Sequence, residues 1–315
     1  MSHDHILVTG SSGTIGTELT LQLIEQGYRV TGVDWEPNRW SDRINEQTID
    51  LDLRDSAQSG QLPTDVDLII HLSANARVYK LIEDPEKARD NFLTTFNVLE
   101  YAREIGADMI FASSREVYGN REKIVHDETD TFVDECESPY TASKIGGEAM
   151  VTSYANCYDI HTSVLRFSNV YGRYDVSDRV VPLFIAQAVH DQTLTVYGGD
   201  KLLDFTYIDD CVRGVLAVID NFRKARGTTF NIASGEGSSL VDLAQIVRDT
   251  VESDSSIEID ETRTGEVSRF IANSTKARRI LGYDPEYDLQ QGIQETVEWY
   301  DERDLYNEIL DLDNW

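Results

Sequence analysis

The sequence predicts an α/β protein built around a doubly wound parallel sheet. Short apolar runs that end in turn residues alternate with segments of helical period along the first half of the chain. A glycine-rich loop joins the first run to the first helical segment. Glycine or polar residues follow the carboxyl ends of the runs, where open parallel sheets bind their ligands. These residues are Gly10, Asp34, Ser73, Ser114 and Asn169.

The expected strands of this sheet are short apolar runs, as is typical of strands that are buried on both faces. They are expected at residues 5–9, 29–33, 47–53, 66–72, 108–113 and 161–167.

Helical segments separate these strands. The first runs from Thr14 to Gln26 and closes at Gly27, and a longer one covers residues 85–105. The third is expected from Pro139 to about residue 158, because Ser138 is a good N-cap and proline suits the first helical position.

The pattern becomes less regular after about residue 171. Residues 205–210 and 229–233 are expected to form short strands that return to the main sheet, with helices at 239–251 and 275–281. The sequence therefore predicts two parts. A sheet domain covers residues 1–172 and the returning segments at about 205–234, and a smaller, interwoven α+β lobe covers 173–204 and 235–315.

The composition excludes several classes of function. Acidic residues outnumber basic ones by 57 to 28, which gives a net charge of −29 and disfavours a nucleic-acid partner. No apolar stretch is long enough to span a membrane, and no export signal is visible, so we expect a cytoplasmic protein. The three cysteines and six histidines lack metal-ligand spacing, so no metal is expected. The acidic excess resembles that of cytosolic proteins from salt-loving archaea, in which salt screens self-repulsion.

The glycine-rich loop predicts a dinucleotide site. Its spacing is G-x-x-G-x-x-G, and it lies between a strand and a helix, as such a site requires. Glycine lets the backbone approach a pyrophosphate at the N-terminus of the helix. The residues expected to contact the cofactor here are Gly10, Ser12, Gly13, Thr14, Ile15 and Gly16.

The acids at the ends of the next two strands refine this prediction. Asp34 lies 24 residues after Gly10, where a carboxylate accepts hydrogen bonds from the adenosine ribose. It would repel a 2′-phosphate, which favours NAD, although the nearby Arg39 keeps NADP as an alternative. Asp52 and Leu53 are expected to contact the adenine.

Tyr140 and Lys144 lie four residues apart, and therefore on one face of the expected helix. A free phenol titrates near ~10, which is too high for a base at neutral pH. A neighbouring ammonium favours the phenolate and lowers that pKa. The pair predicts an acid/base group.

Together these residues resemble the extended short-chain dehydrogenase/reductase family, in particular its nucleotide-sugar epimerases and dehydratases, with a Rossmann-type NAD-binding domain and a substrate lobe. The resemblance covers nearly the whole chain. Besides the glycine loop and Y-x-x-x-K, it includes segments 71–74, 91–97, 112–119, 166–172, 204–210, 231–235 and 263–266.

The resemblance implies roles for individual residues. Tyr140 is the acid/base, Lys144 binds the nicotinamide ribose and lowers the phenol pKa, and Ser114 orients the sugar hydroxyl. The residues implied to line the cofactor are Leu72, Ser73, Ala74, Asn91 and, through its backbone, Ser113. The residues implied to bind the substrate are Asn169 at a sugar or diphosphate oxygen, Arg263 at the diphosphate and Glu266 at the nucleotide ribose.

The sequence departs from the family at two places. Dehydratases carry Thr-Asp-Glu where this chain has Ser114, Arg115 and Glu116, and arginine is a poor proton donor. Glu116 remains as a candidate base, and Arg115 is a candidate substrate ligand. Many relatives have an arginine where this chain has Leu203; Lys201 is a candidate substitute as a diphosphate ligand. Val181 is expected near the nucleotide base.

We therefore expect an NAD-dependent nucleotide-sugar epimerase that acts at C4 of a UDP-hexose through a transient keto-sugar. A plain epimerase needs only Ser114, Tyr140 and Lys144. The alternatives are a nucleotide-sugar 4,6-dehydratase or decarboxylase on the same fold and, more remotely, a non-catalytic NAD-binding regulator. The resemblance also implies a homodimer formed through the helices near 85–105 and 140–158.

Overall fold

A parallel sheet of seven strands lies at the centre of the molecule. The structure is a computed structural model that describes residues 3–261 and 267–313. The sheet consists of β1 (His5–Thr9), β2 (Arg29–Asp34), β3 (Thr48–Asp50), β4 (Leu68–His71), β5 (Asp108–Ser114), β7 (Thr162–Phe167) and β11 (Thr228–Ile232). Their order across the sheet is β11-β7-β5-β4-β1-β2-β3, and neighbouring strands are parallel. This order confirms the predicted doubly wound sheet.

Helices cover both faces of this sheet. They include α1 (Thr14–Glu25), α2 (Asp42–Asn45), α3 (Val78–Glu83), α4 (Glu86–Ile105), α5 (Pro139–Cys157), α6 (Val180–Val189), α7 (Ile208–Asp220), α8 (Phe222–Ala225), α9 (Leu240–Thr250), α10 (Thr275–Leu281), α11 (Leu289–Asp301) and α12 (Tyr306–Asp313). The apolar residues of α1, α7 and α10 form one core with the sheet. Those of α4 and α5 form a second core on the opposite face.

The expected start of α5 is confirmed. Pro139 is its first residue, and the hydroxyl of Ser138 accepts a hydrogen bond from the backbone N–H of Thr141 at 3.1 Å. This cap satisfies a donor that the first turn would otherwise leave unpaired. The side chain of Tyr140 is thereby presented from the first turn of the helix.

Seven further strands of the described residues lie outside the main sheet. They are β6 (Val125–His126), β8 (Asn169–Tyr171), β9 (Leu194–Tyr197), β10 (Leu202–Tyr207), β12 (Gly237–Ser239), β13 (Ile257–Asp260) and β14 (Ile271–Ala272). Strands β12, β10 and β8 form a small sheet of their own, while β13 pairs with β9 and β14 pairs with β6.

One expected strand lies elsewhere. Residues 229–233 return to the main sheet as predicted, since β11 pairs with β7. The prediction for 205–210 was wrong, because β10 pairs with β8 in the small sheet and the chain turns into α7 at Ile208. Asp209 and Asp210 therefore begin a helix, where acidic side chains suit the positive end of the helix dipole.

The core of the second lobe is formed by α6, α9, α11 and the small sheet. Helix α10 does not follow this division, since its Ala277 and Leu281 pack into the core of the main sheet. The division into two domains stays a prediction. No helix in the described ranges is long and apolar enough to cross a membrane.

Candidate active site

The loop after β1 is packed so closely that two of its glycines are needed. Gly10 has a φ of +73°, and a Cβ atom there would lie 2.9 Å from the backbone nitrogen of Ser73. At Gly16 a Cβ atom would lie 1.9 Å from the carbonyl oxygen of Gly10. Gly13 is the N-cap of α1, and Thr14 and Ile15 form its first turn. The free N–H groups of a helix start suit a pyrophosphate.

Asp34 ends β2 and holds this loop in place. Its carboxylate accepts hydrogen bonds from the backbone N–H groups of Ser12 at 2.9 Å and Trp35 at 2.8 Å. Burial raises the pKa of Asp34, and these hydrogen bonds oppose the shift. Arg39, the alternative ligand for a 2′-phosphate, forms an ion pair with Glu308. The surroundings of Asp34 therefore favour NAD.

The turn after β3 carries the residues expected at the adenine. The Asp52 carboxylate pairs with Arg54 at 2.7 Å, which lowers its pKa. The Arg54 guanidinium lies 4.5 Å from the centre of the Trp35 ring. Leu53 is buried, and its carbonyl oxygen accepts a hydrogen bond from Asn97. An adenine contact by Asp52 and Leu53 stays a prediction.

Asn91 hydrogen-bonds the backbone of the turn that follows β4. Its amide exchanges hydrogen bonds with the backbone of Asn75, at 2.7 and 3.0 Å, and donates to the hydroxyl of Ser143 at 3.1 Å. Asn75 follows the segment 72–74 that faces the glycine loop. Asn91 thus links this turn to α5, and a contact between Asn91 and the cofactor stays a prediction.

Tyr140, Lys144 and Ser114 converge at the carboxyl end of β5. The hydroxyl of Ser114 acts on the Tyr140 phenol and favours its ionised form. The Lys144 ammonium lies 5.8 Å from the centre of the Tyr140 ring and donates to the carbonyl oxygen of Ala112 at 2.8 Å. Both Tyr140 and Lys144 are buried.

Burial dominates the electrostatics of this group. It raises the pKa of Tyr140 to about 12, although Ser114 and the guanidinium groups of Arg179 and Arg115 act in the opposite direction. It lowers the pKa of Lys144 to about 8, against the charge of Glu148. Lowering of the Tyr140 pKa thus comes from Ser114 and two arginines, and the expected effect of Lys144 on the phenol stays a prediction.

Ser113 has a partner that sequence reasoning missed. Its hydroxyl donates a hydrogen bond of 2.5 Å to Glu148, and Arg166 binds the same carboxylate through two nitrogens at 2.9 and 2.7 Å. Glu148 lies four residues after Lys144, so the spacing Y-x-x-x-K-x-x-x-E was a visible signal. Arg179, at the N-cap of α6, carried no signal of its own.

The residues expected at the substrate form a second group beside Ser114. Arg115 is buried, pairs with Glu116 at 2.9 Å and donates to the amide oxygen of Asn169 at 3.1 Å. The Asn169 amide nitrogen donates to the carbonyl oxygen of Asp204. The structure therefore brings Arg115, Glu116 and Asn169 together.

The remaining substrate candidates are scattered. Val181 is buried in the core of the second lobe, on α6. Lys201 is buried in the turn between β9 and β10. Arg263 and Glu266 lie outside the described residues. Within residues 3–261 and 267–313 no group of histidine, cysteine and acidic side chains could hold a metal ion.

Comparison with known proteins decides the family. The pattern of the NAD dependent epimerase/dehydratase family matches residues 6–233. The chain belongs to this family. The resemblance to the extended short-chain dehydrogenases is thereby confirmed, and the chain is an NAD-dependent enzyme.

Individual relatives agree over nearly the whole chain. It is 33% identical over 304 residues to a putative UDP-glucose 4-epimerase of Methanocaldococcus jannaschii, covering 93% of this chain and 97% of that one. It is 29% identical to UDP-glucuronic acid decarboxylase 1 of Danio rerio, covering 94% and 72%. The crystal structure of UDP-glucuronic acid 4-epimerase from Bacillus cereus, in complex with UDP-glucuronic acid and NAD, superimposes with a TM-score of 0.87 at 28% identity, covering 95% and 99%.

Proposed function

We propose that the protein is an NAD-dependent 4-epimerase of a UDP-hexose, with Tyr140 as its acid/base. The observation that carries the proposal is the convergence of Ser114, the buried phenol of Tyr140 and Lys144, one helical turn further on, at the carboxyl end of β5. These residues stand at the carboxyl end of the sheet, next to the glycine loop. They are the complete set that a redox-neutral epimerisation needs.

The residues would act on a proton at the sugar C4 hydroxyl. The bound NAD supplies the acceptor and donor of the C4 hydride. Tyr140 takes the hydroxyl proton through its phenol oxygen and returns it to the same oxygen of the sugar when the opposite epimer forms. Ser114 orients the sugar hydroxyl and favours the phenolate of Tyr140. Lys144 supplies positive charge beside the Tyr140 ring.

The proposal keeps the cofactor and substrate roles that the family resemblance implies for the other residues. The N–H groups at the start of α1, from Thr14 to Gly16, would hold the pyrophosphate, and Asp34 would accept hydrogen bonds from the adenosine ribose. Arg115 and Asn169 would face the sugar, with Lys201 at the diphosphate and Val181 near the base. Arg263 and Glu266 keep their expected roles at the diphosphate and nucleotide ribose.

A second candidate is a reaction on a UDP-hexuronate, either 4-epimerisation or decarboxylation. Two guanidinium groups, those of Arg115 and Arg179, act electrostatically on Tyr140. Cations beside the reacting carbon suit a sugar carboxylate. Glu116 supplies the carboxylate that a decarboxylase could use. A 4,6-dehydratase is disfavoured, since Arg115 stands where that reaction needs an acid.

Product analysis tests the proposal. The protein, NAD and one donor at a time would be incubated in molar KCl, with UDP-glucose, UDP-galactose, UDP-glucuronate, dTDP-glucose and GDP-mannose. Mass spectrometry and NMR would then be applied. A UDP-hexose isomer of unchanged mass supports the proposal, and a hexuronate isomer supports the second candidate. Loss of carbon dioxide or water would assign a decarboxylase or dehydratase. No product despite bound NAD would favour a regulator.

We also propose a cytoplasmic homodimer adapted to high salt. The cysteines are free thiols, as suits a reducing compartment. On α4 the side chains of Leu93 and Phe96 are 39% and 46% exposed and share one face, beside the packed helix α5. An apolar pair of this kind suits burial against a second copy. The net charge of −29 supports the high-salt origin.

A further inference from the structure

A buried ion pair lies directly behind the catalytic helix. The side chains of Arg166 and Glu148 are 5% and 14% exposed, and two hydrogen bonds of 2.9 and 2.7 Å join them. Ser113 and Arg166 are register partners on β5 and β7. The Ser113 hydroxyl donates to the same carboxylate at 2.5 Å. One carboxylate therefore ties α5 to two neighbouring strands of the main sheet.

Arg166 is itself fixed from a third side. Its remaining guanidinium nitrogen donates to the carbonyl oxygen of Glu128 at 2.8 Å and to the phenol oxygen of Tyr118 at 3.1 Å. A bidentate pair held in this way has little freedom to rotate. The position of the Glu148 carboxylate is thereby set by the sheet as well as by its own helix.

Glu148 also stands one helical turn beyond Lys144. The Lys144 ammonium is surrounded by the Ala112 carbonyl oxygen at 2.8 Å, the Phe111 ring with its centre at 5.2 Å, and Tyr140. His71 on β4 also acts on this site, and burial together with Lys144 lowers its pKa to about 3, so it is neutral.

Of these groups, Glu148 brings negative charge to the ammonium. Burial lowers the pKa of Lys144 to about 8, and the charge of Glu148 opposes that shift. A nearby opposite charge favours the charged form of a buried amine.

We propose that Glu148, clamped by Arg166, is a positioning residue that fixes Ser113 at the end of β5 and supplies the counter-charge to Lys144. This deepens the proposed function, because it rests on Lys144 and Tyr140 acting in the reaction. Glu148 acts through two residues, the serine whose backbone is expected at the nicotinamide and the lysine expected at its ribose. It is not expected to contact the substrate.

The sign of the expected effect follows from the charge. With a pKa of about 8, about nine-tenths of Lys144 is ammonium at pH 7. Glu148→Gln keeps the shape and one acceptor oxygen, but removes the charge and replaces the second acceptor oxygen, which pairs with Arg166, by an amide nitrogen that can only donate. The pKa of Lys144 should then fall by about one unit, because burial is no longer opposed. Turnover should fall about fivefold at pH 8 and less than about twofold at pH 6.5, as the ammonium fraction does.

Direct titration tests the charge effect without any substrate. The sequence holds seven lysines, so 13C-labelled lysine gives a resolvable NMR spectrum, and the Lys144 signal is assigned by its loss in Lys144→Arg. The protein would be titrated with saturating NAD. A lower Lys144 pKa in Glu148→Gln supports the proposal, whatever the sugar proves to be. An unchanged Lys144 pKa overturns it.

Three further variants separate charge from shape. Glu302→Gln, at an exposed carboxylate beside Arg303, makes the same change of charge elsewhere and should leave the Lys144 pKa and turnover unchanged. Glu148→Asp keeps the charge and should keep the Lys144 pKa, and a lowered pKa in this variant would contradict a charge effect. Ser113→Ala should lower turnover with that pKa unchanged. A turnover loss in Glu148→Gln that is equal from pH 6.5 to 8 would also overturn the proposal, since a merely structural defect has no such pH dependence.

Discussion

Tyr140 is buried, and its burial opposes the ionised form that a proton acceptor needs. Among the influences that lower the Tyr140 pKa, that of the Ser114 hydroxyl is the largest. Tyr140→Phe removes the acid/base group and keeps the packing of the ring. We expect turnover to fall by about 10²–10⁴-fold, the usual contribution of one acid/base group, with NAD still bound. Product formation by NMR, and NAD released on denaturation, measure the two quantities.

A matched control removes a hydroxyl from the opposite end of the sheet. Tyr28 precedes β2, and therefore lies at the amino end of a strand whose carboxyl end carries Asp34. Tyr28→Phe should keep full turnover. If Tyr140→Phe retained turnover close to that of this control, the assignment of Tyr140 would be wrong.

The glycine loop gives a prediction about cofactor binding. A methyl group at Gly16 would overlap the carbonyl oxygen of Gly10, which is backbone and cannot move aside without opening the loop. Gly16→Ala should therefore weaken NAD binding by at least about tenfold, equivalent to ~1.4 kcal/mol. Isothermal titration measures this. Gly60→Ala, where a methyl group meets no neighbour, should bind NAD normally; equal affinities in both variants would contradict the assignment.

The sequence predicts some residues of the candidate site and misses others. Spacing alone places Tyr140 and Lys144 on one helical face, and the structure brings both to the end of β5, where Ser114 lies. Arg179 was missed because its approach to Tyr140 depends on where α6 packs in the folded protein, which no local sequence pattern encodes. Glu148 was missed although its four-residue spacing from Lys144 was visible.

At the scale of whole elements, the bounds of helices were predicted better than the pairing of strands. Helix α10 has the expected bounds, because its period and its closing Gly282 are local signals. The strand that contains Phe205 was expected in the main sheet but joins β8. An apolar run indicates a strand without naming its neighbour, and here Phe205 pairs with Asn169, 36 residues earlier. Sheet membership therefore could not be predicted from the run itself.

His71 connects three elements and makes their packing sensitive to pH. Its ring contacts Thr9 on β1 at 2.8 Å and Thr95 on α4 at 3.3 Å. Burial lowers its pKa to about 3, whereas an unfolded histidine titrates near ~6.5. Between these two pKa values His71 is protonated in the unfolded chain and neutral in the folded chain. His71 leaves the free energy of unfolding unchanged above about pH 6.5. Below this pH it lowers that free energy by about 1.4 kcal/mol per pH unit, down to the pKa of His71 in the folded state.

His71→Asn isolates this contribution. The wild type should lose about 1.4 kcal/mol more than the variant between pH 7.5 and 5.5, measured by denaturant unfolding in molar KCl. The other histidines contribute equally to both proteins and cancel in the comparison. Equal losses in the two proteins would show that His71 is protonated in the folded state.

At the scale of the whole molecule, charge dominates the expected response to salt. With 57 acidic against 28 basic residues, the folded chain repels itself. The screening length of this repulsion falls from ~10 Å at 0.1 M salt to ~3 Å at 1 M salt. The melting temperature should rise by about 10 °C or more between these KCl concentrations, in view of ~2–4 °C per kcal/mol for a chain of this size. NaCl should raise the melting temperature by the same amount as KCl. A melting temperature that changes with neither salt would rule out the proposed adaptation to high salt.

The apolar face of α4 supports the proposed homodimer. Leu93 and Phe96 are both more than a third exposed, and on a chain of this acidity such a face is expected to be covered by a second copy. Sedimentation in molar KCl should give a particle of two 35.6 kDa chains. Phe96→Glu should dissociate it, because the interface would then hold one unpaired charge from each copy. Ile259→Glu makes the same change at a residue that is 64% exposed on β13, outside α4 and α5, and should leave the dimer intact. A wild-type monomer in molar KCl would contradict the homodimer, whereas dissociation by both variants would place the interface elsewhere.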